Sequence, residues 1–197
     1  LLKLANDYNV PVIEEDYQWD FAYEKRLPSL YTLDTNKLVI YIYSFTLIFP
    51  YMMKIGYAVG PADLIDMLGY ALSVDETAVS GIGQYFLNEY INLGHYENHV
   101  KIVQKEYKGK LELLCSELDK ITGKGISYQK PKGGLLLWCT LTDDINERAL
   151  CKKAAEKGVL VVPGWVFYEN NRKKSGHIRL CFSNVTDDQI RRGVLLL

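Results

Sequence analysis

Short runs of β-forming residues alternate with helical segments early in the chain, and this order is the strongest constraint on its fold. Leu1–Tyr8 has the pattern of the end of an amphipathic helix, and Val10–Ile13 follows it as a short apolar run. Such a run suits a strand that is buried on both faces of a parallel sheet. Because a helix that leads into such a strand is typical of βαβ units, the pattern predicts an α/β fold.

Two further strands and a long helical tract are predicted in the middle of the chain. Leu38–Tyr43 and Lys54–Val59 are rich in β-forming residues, and a helix is predicted from Pro61 to Leu72. From about Glu76 to Ile121 apolar residues recur at spacings of three and four, with a break near Gly94. We expect this tract to connect two domains.

The pattern changes after Gly125, where short strands and helices follow one another in the order ββαββα. The predicted strands are Ile126–Gln129, Leu135–Thr140, Val159–Val162 and Ile178–Phe182, and the first predicted helix is Ile145–Lys157. A second helix begins at Thr186, where Thr186 and Gln189 have the spacing of a capping box. We therefore expect a partial large domain at 1–75, connecting helices at 76–121 and a small α+β domain at 122–197.

The charge balance argues against a nucleic-acid surface and against a membrane protein. The chain has 23 basic and 24 acidic residues, so it lacks the basic excess that binds phosphate backbones. Charges interrupt every apolar run that could become a membrane span, and the first residues lack the pattern of a signal peptide. The chain does not begin with Met and opens within a helical pattern, so we expect that an N-terminal part is absent.

Cysteines and histidines do not predict a metal site. The four cysteines form no CxxC pair, so we expect reduced thiols in a cytoplasmic protein rather than a zinc site or a disulfide framework. His95 and His99 have a spacing that metal sites use, but no further ligand stands at a motif spacing. A surface pair is therefore expected.

A first candidate site is formed by three residues that follow the first predicted strand. Glu15, Asp16 and Tyr17 lie at the carboxyl end of that strand, which is where open α/β sheets bind ligands. The alternative is a solvated strand end that caps a loop, and spacing alone slightly favours this alternative.

A second candidate site combines hydroxyl groups with a cation. Ser44 and Thr46 follow the next predicted strand, and Lys54 comes shortly after them. Such groups can hold a phosphate. The alternative is a polar transition from strand to loop, with a lysine that extends to solvent.

A third candidate is a single arginine within an apolar strand. Arg179 lies inside the run His177–Ser183, where an arginine is costly unless it meets an anion. Its planar guanidinium could bind a substrate carboxylate in bidentate fashion. The alternative is an arginine on an edge strand that points to water.

Short motifs in colinear order carry a family resemblance along nearly the whole chain. They are VIEEDY at 12–17, PSL at 28–30, GHYE at 94–97, GGLLLW at 133–138, GVLVVPG at 158–164 and IRL at 178–180. In this order they resemble the motifs of fold-type I pyridoxal-phosphate aminotransferases of class I/II. Within this group, the chain particularly resembles the aminotransferase-like domain of GntR/MocR-type regulators.

The resemblance implies a fold, a cofactor and two alternative functions. The fold would be the C-terminal part of a large cofactor-binding domain, with a mostly parallel sheet and helices, followed by a small α+β domain. The cofactor would be pyridoxal 5'-phosphate in a homodimer that transfers an amino group between an α-amino acid and a 2-oxo acid. The alternative is a cofactor-binding effector domain that senses an amine, in a regulator that binds DNA only through an absent N-terminal domain.

The stretch SFTLIFPYMMKIGY at 44–57 is similar to the family motif SFSKTLFPGLRIGY, which anchors the cofactor. Without gaps, Leu47 falls on the lysine that forms the Schiff base, and Lys54 falls on the arginine that binds the phosphate. The proline is displaced by one position. Lys54 keeps the charge of arginine but loses its planar fork.

The other roles follow from the same resemblance. Glu15, or alternatively Asp16, would pair with the pyridine nitrogen, and strand alternation should turn these two side chains to opposite faces. Tyr17 would bind the phenolic oxygen of the cofactor and take part in catalysis. Ser44 and Thr46, together with Lys54, would hold the phosphate, and Arg179 would bind the substrate carboxylate.

Leu47 departs from the family at the position that matters most, because leucine has no amine. Three explanations are open: a true substitution that leaves a binding-only or inactive protein, an engineered replacement, or a cofactor-linked lysine written with another letter. The third explanation is favoured. Otherwise Ser44, Tyr17, Lys54 and Arg179 would form a cofactor site without the lysine that anchors the cofactor.

Overall fold

A computed structural model describes residues 1–49, 54–74, 79–169 and 175–197. The chain divides into two compact units, residues 1–102 and 103–197. The proline at position 50 of the motif and the predicted helix start at Glu76 lie outside the described residues.

The first unit contains a three-stranded sheet with helices before and after it. Its elements are α1 (Leu2–Tyr8), β1 (Val12–Glu15), a 3₁₀ helix (Trp19–Phe21), α2 (Leu30–Leu33), β2 (Val39–Ser44), a 3₁₀ turn (Phe45–Leu47), β3 (Gly56–Val59), α3 (Ala62–Val74), α4 (Gly81–Asn92) and the start of α5 (His95–Asp119). The predicted helix at the start of the chain, the strand at 38–43 and the break near Gly94 are confirmed.

The sheet has the order β1-β2-β3, in which β1 is parallel and β3 antiparallel to β2. Val12 is opposite Val39, and Ser44 is opposite Gly56. Gly56 allows a close approach of the two strands, because a Cβ at this position would lie 2.5 Å from the carbonyl oxygen of Tyr43. The parallel pair brings the carboxyl ends of β1 and β2 to the same edge of the sheet.

The first strand begins later than predicted, and it is not buried on both faces. Asn9 adopts a left-handed conformation with φ 50°, and the amide of Val10 donates to the carbonyl of Ala5 at 2.9 Å. This contact ends α1 and uses the Val10 amide, while Pro11 has no amide to offer. Pairing therefore starts at Val12, and Ile13 is 67% exposed.

The second unit contains a four-stranded sheet and two short helices after the end of α5. Its elements are β4 (Ile126–Tyr128), β5 (Leu136–Leu141), α6 (Glu147–Glu156), β6 (Val162–Pro163), a 3₁₀ helix (Gly164–Phe167), β7 (His177–Cys181) and α7 (Asp187–Leu196). The predicted ββαββα order is confirmed. The sheet order is β4-β5-β7-β6, with antiparallel neighbours.

Both short helices have side-chain caps at their N-termini. Asn146 accepts hydrogen bonds from the amides of Arg148 and Ala149 at the start of α6. Thr186 and Gln189 form the predicted capping box at the start of α7. These contacts fix where the two helices begin.

The strand predicted at Val159–Val162 is largely wrong, since only its last residue belongs to β6. Gly158 has φ 83°, and the amide of Val159 donates to the carbonyl of Ala154 at 2.8 Å. That hydrogen bond closes the C-terminus of α6 and removes the amide from the sheet.

No helix within the described ranges is both long and apolar enough to cross a membrane. The same ranges contain no group of three or more His, Cys, Asp or Glu side chains that could hold a metal ion.

Candidate functional site

Two hydroxyl groups lie side by side at the start of the turn that follows β2. Ser44 ends the strand and caps the 3₁₀ turn Phe45–Leu47, and its Oγ accepts from the amide of Thr46 at 3.3 Å. The two hydroxyl oxygens of Ser44 and Thr46 are 2.7 Å apart. The structure therefore brings both predicted hydroxyls together on one short turn.

Lys54 lies beside this turn because β3 returns antiparallel to β2. The amide of Phe45 donates to the carbonyl of Ile55 at 2.9 Å, which extends the ladder beyond the pair of Ser44 and Gly56. Lys54 itself has φ 37°, in the left-handed region that is uncommon for residues other than glycine. The backbone of residue 54 thus lies next to the turn with the two hydroxyls.

Leu47 is the last residue of the turn, and its side chain is 36% exposed. Ile48 and Phe49, which follow it, are buried. The amides of both residues donate to the carbonyl of Phe45 at 3.0 Å. The leucine therefore occupies a partly open position on a turn that is fixed on both sides.

The residues predicted at the end of β1 lie at the same sheet edge as the turn. Glu15 is opposite Ile42, and the amide of Asp16 donates to the carbonyl of Ile42 at 2.9 Å. Glu15 is exposed and Asp16 is half-buried, as strand alternation predicts. Tyr17 is 38% exposed, and its hydroxyl accepts from Nε2 of Gln18 at 3.0 Å.

The two candidate carboxylates differ in their surroundings. Oδ2 of Asp16 accepts from the hydroxyl of Tyr41 at 3.3 Å. Burial raises the pKa of Asp16 above its ordinary value, and this effect outweighs the hydrogen bond from Tyr41. The ionised form of Asp16 is therefore less favoured than that of a carboxyl in water.

A carboxylate that the sequence analysis did not select holds a neighbouring loop. Glu14 accepts from the amides of Leu30 and Tyr31 at 2.8 and 2.9 Å, at the start of α2. A capping role of this kind was the alternative considered for the neighbouring Glu15, Asp16 and Tyr17. The neighbouring acidic residues thus have different surroundings. Glu14 caps a helix, while Glu15 faces the other side of the strand.

Asp20 is a second functional candidate that sequence reasoning missed. It is 5% exposed and accepts hydrogen bonds from the hydroxyls of Tyr43 and Tyr96. Tyr96 belongs to the GHYE motif, but its partner Asp20 lies 76 residues away in sequence. No local pattern connects two such residues.

Arg179 lies on an inner strand of the second unit, so the edge-strand interpretation is wrong. β7 has β5 on one side and β6 on the other, and Arg179 is opposite both Trp138 and Val162. Its Nε is buried and has no hydrogen-bond partner among the described residues. A buried guanidinium nitrogen without a partner is costly, which favours an anionic ligand at this position.

Aromatic rings surround Arg179. Its Cζ lies 5.0 Å from the ring centre of Phe167, and the rings of Trp138 and Phe167 meet edge to face at 5.5 Å. Trp138 also stacks on His177 at 5.3 Å. These contacts hold the guanidinium by cation–π interaction and packing.

A buried carboxylate fixes the start of β7, two residues before Arg179. Glu147 is 1% exposed and accepts from the amide and hydroxyl of Ser175 at 3.2 and 2.6 Å, and from the amide of His177 at 3.2 Å. Burial alone would raise the pKa of Glu147, but these hydrogen bonds outweigh it, and the pKa is lowered.

A cavity of about 390 Å³ in the second unit is separate from these candidates. Residues of α7 and of the segment 157–161 make up most of its lining, and none of the predicted site residues contributes to its wall. The candidate residues of the first unit therefore lie at its sheet edge, and Arg179 is a separate candidate within the second unit.

Comparison with known proteins agrees with this description. Residues 1–195 match the model of the family described as aminotransferase class I and II. The chain is similar to aromatic-amino-acid aminotransferase 1 of Thermococcus litoralis, with 26% identity over 98% of this chain and 46% of that protein. It is also similar to an uncharacterized HTH-type transcriptional regulator of Bacillus subtilis, YdfD, with 27% identity over 98% of this chain and 40% of that protein.

Solved structures show the same fold. Kynurenine aminotransferase from Pyrococcus horikoshii superimposes with a TM-score of 0.92 and 30% identity, over 99% of this chain and 48% of that chain. The alpha-aminoadipate aminotransferase from Thermus thermophilus superimposes with a TM-score of 0.90 and 25% identity, over 99% of this chain and 51% of that chain. The expected α/β fold is confirmed.

The chain spans about half the length of the relatives it matches. Within that span the family match covers almost every residue, and the motifs and the fold agree with it. The chain therefore belongs to the aminotransferase class I and II family.

Proposed function

We propose that this chain binds pyridoxal 5'-phosphate and belongs to a protein that transfers an amino group between an α-amino acid and a 2-oxo acid. The observation that carries the proposal is the turn at 44–47, where two hydroxyls 2.7 Å apart lie beside the backbone of Lys54. Related proteins support it: the Thermus thermophilus aminotransferase was solved with N-(5'-phosphopyridoxyl)-L-leucine, and the Pyrococcus horikoshii enzyme with PMP.

The donor set of the first unit fits the cofactor except at one position. The hydroxyls of Ser44 and Thr46 and the cation of Lys54 suit a phosphate group. The phenol of Tyr17 suits an oxygen anion, and a carboxylate at the end of β1 suits a ring nitrogen that carries a proton. Leu47 supplies no amine, so the residues present can hold the cofactor without a covalent link.

We assign the nitrogen-binding role to Glu15 rather than to Asp16. An ionised carboxylate is needed to keep a proton on the ring nitrogen. Burial raises the pKa of Asp16, which disfavours its ionised form, and Tyr41 already donates to its carboxylate. Glu15 is exposed on the opposite face of the strand.

The remaining residues bind and orient the substrate. When bound, pyridoxal phosphate supplies a sink for the electrons released as the substrate Cα–H bond breaks. Arg179 would hold the substrate carboxylate through its guanidinium, whose Nε has no partner among the described residues. A lysine at position 47 would move the proton at the substrate Cα, a task that leucine cannot perform.

Position 47 bears on both candidate functions. A cofactor-linked lysine at this position, the interpretation favoured from the sequence, would allow amino-group transfer. A true leucine favours the second candidate, a cofactor-binding effector domain of a GntR/MocR-type regulator, because a sensor needs binding but no proton transfer. The similarity to YdfD and to other HTH-type regulators over 98% of the chain supports that candidate.

We also propose an oligomeric state and a cellular location for the protein. A cytoplasmic homodimer fits the family and the reduced cysteines, all four of which are free.

The absorbance spectrum of the purified protein tests the proposal. With pyridoxal phosphate added, a protein-bound band that shifts when an amino acid is supplied supports cofactor use, and formation of a 2-oxo acid separates enzyme from sensor. A spectrum identical to that of free cofactor contradicts the proposal. The intact mass of the protein identifies the residue at position 47, because a cofactor-linked lysine and a leucine differ in mass.

A further inference from the structure

The carboxylate of Asp20 joins three separate elements of the first unit. The hydroxyl of Tyr96 donates to its Oδ2 at 2.5 Å, and the hydroxyl of Tyr43 donates to the same oxygen. The two phenol oxygens are 2.9 Å apart. Arg26 approaches the other carboxylate oxygen at 3.7 Å. We call Asp20, Tyr43 and Tyr96 the Asp20 triad. It links the 3₁₀ helix Trp19–Phe21, the strand β2 and the start of α5.

The rings of the triad hold the turn that follows Ser44. Tyr43 meets Phe45 edge to face at 5.0 Å, and Tyr96 meets the same ring edge to face at 5.7 Å. Tyr96 also stacks on Phe49 at 6.0 Å. Phe45 begins the turn whose backbone carries the hydroxyls of Ser44 and Thr46, so its ring is fixed from two sides.

Both phenols keep their protons at neutral pH. The pKa of Tyr43 and that of Tyr96 are raised, first by burial and then by the hydrogen bonds to Asp20. The two hydroxyls therefore keep the protons that they donate to the carboxylate.

We propose that Asp20, Tyr43 and Tyr96 are positioning residues that hold the phosphate-binding hydroxyls of the turn in place. The proposal rests on the proposed function, in that the ligand of those hydroxyls is the cofactor phosphate. The triad acts through the ring of Phe45, which both tyrosines contact. A phosphate site depends on hydroxyls held to within a fraction of an ångström, which gives a supporting group outside the site a measurable effect.

The first test measures the turn itself and needs no cofactor. Tyr96→Phe removes one donor to Asp20 and keeps the ring. We expect faster hydrogen exchange at the amides of Phe45, Ile48 and Phe49, which now donate to backbone carbonyls at 2.9 to 3.0 Å.

Tyr57→Phe is the matched control for this exchange experiment. Its ring lies 5.4 Å from that of Tyr43 and 6.0 Å from that of Phe45, but its hydroxyl is outside the triad. Exchange at the turn should stay unchanged in this variant. Unchanged exchange in Tyr96→Phe, or an equal increase in both variants, would overturn the proposal.

The second test compares pyridoxal phosphate with pyridoxal, which lacks the phosphate. Tyr96→Phe should weaken binding of pyridoxal phosphate about tenfold and affect pyridoxal binding much less, because the two hydroxyls of the turn are proposed to bind the phosphate. An equal loss for both ligands indicates general damage and contradicts the proposal. Asp20→Asn keeps an acceptor oxygen and should retain more affinity than Asp20→Ala.

The two tests separate the failure of this inference from that of the proposed function. A wild-type protein that does not bind pyridoxal phosphate contradicts the proposed function, whereas the exchange experiment still decides whether the triad orders the turn. If the wild type and Tyr96→Phe bind pyridoxal phosphate equally well, the proposed role of the triad is contradicted and the proposed function is not.

Discussion

Arg179 lies opposite Trp138 on neighbouring strands, and its Nε is buried without a hydrogen-bond partner in the described part of the chain. Phe167 covers the guanidinium at 5.0 Å. A buried guanidinium nitrogen with no partner among the described residues makes Arg179 a candidate for binding a substrate carboxylate.

Removal of this guanidinium should weaken amino acid binding. For Arg179→Gln we expect a loss of about 10- to 100-fold in affinity for an amino acid, because charge-assisted hydrogen bonds contribute about 1.5–3 kcal/mol. The measurement is the amino acid titration of the cofactor absorbance band. The matched amine without a carboxylate should bind the variant and the wild type alike.

Arg191→Gln is the control, since this arginine is half exposed and pairs with Glu117 at 2.9 Å. It should bind the amino acid as the wild type does. Equal affinities in Arg179→Gln and in the wild type would show that another group binds the carboxylate.

The hydroxyls of the turn should contribute to phosphate affinity. Ser44→Ala and Thr46→Ala should each weaken pyridoxal phosphate binding about tenfold, since each removes one hydrogen bond to an anion. Equilibrium titration of cofactor fluorescence measures this change. Ser73→Ala, whose hydroxyl donates to the carbonyl of Tyr70 in α3, should leave the affinity unchanged. Equal losses in all three variants would argue against a site at the turn.

Lys54 stands where the family has an arginine. Its contribution to phosphate binding can be tested by one substitution that should strengthen binding and one that should weaken it. Lys54→Arg should strengthen phosphate binding several-fold, because a planar guanidinium offers a bidentate contact. Lys54→Met should weaken it about tenfold or more through loss of the charge. Lys3→Met changes an exposed lysine of α1 by the same substitution and should have no effect. Loss of affinity on the change to arginine would show that Lys54 does not face the phosphate.

Glu147 should stabilise the second unit in a pH-dependent manner. Glu147→Gln should lower the free energy of unfolding at pH 7 by about 1–3 kcal/mol, since a carboxylate that accepts from Ser175 and His177 is replaced by an amide. Urea unfolding measures the difference. Glu156→Gln, at the exposed end of α6, should stay within about 0.5 kcal/mol of the wild type.

The sign of the pH effect follows from the lowered pKa of Glu147. A carboxyl with a folded pKa below its unfolded value of about 4.3 contributes its full stability above that value and loses it as pH falls through the folded pKa. The difference in free energy of unfolding between the wild type and Glu147→Gln should therefore be greatest at pH 6–7 and shrink below about pH 4. A difference that grows towards low pH would contradict this role.

Much of the fold could be predicted because its signals are local. The capping box of Thr186 and Gln189, the strand β2 and the helix break near Gly94 each depend on residues within a few positions of one another. Strand starts were less predictable. The amides of Val10 and Val159 close the C-termini of α1 and α6, so these β-forming residues are unavailable for pairing.

The candidate residues could be selected from the sequence, but the contacts that support them could not. Ser44, Thr46 and Arg179 stand in motifs, and the types of group they carry predict their proposed roles. The Asp20 triad was not predictable, because its partners are 23 and 76 residues apart from Asp20 in the sequence. The acidic run was ambiguous until the structure separated Glu14, which caps α2, from Glu15.

Covalent labelling at position 47 tests the central claim, which is that the turn Ser44–Leu47 presents its last residue to the cofactor. Protein with Leu47→Lys is mixed with pyridoxal phosphate, reduced with borohydride, digested and analysed by mass spectrometry. The account predicts the mass of one cofactor on the peptide that contains residue 47, and none at that position in the leucine form. A label on other lysines alone, or no label at all, would contradict it.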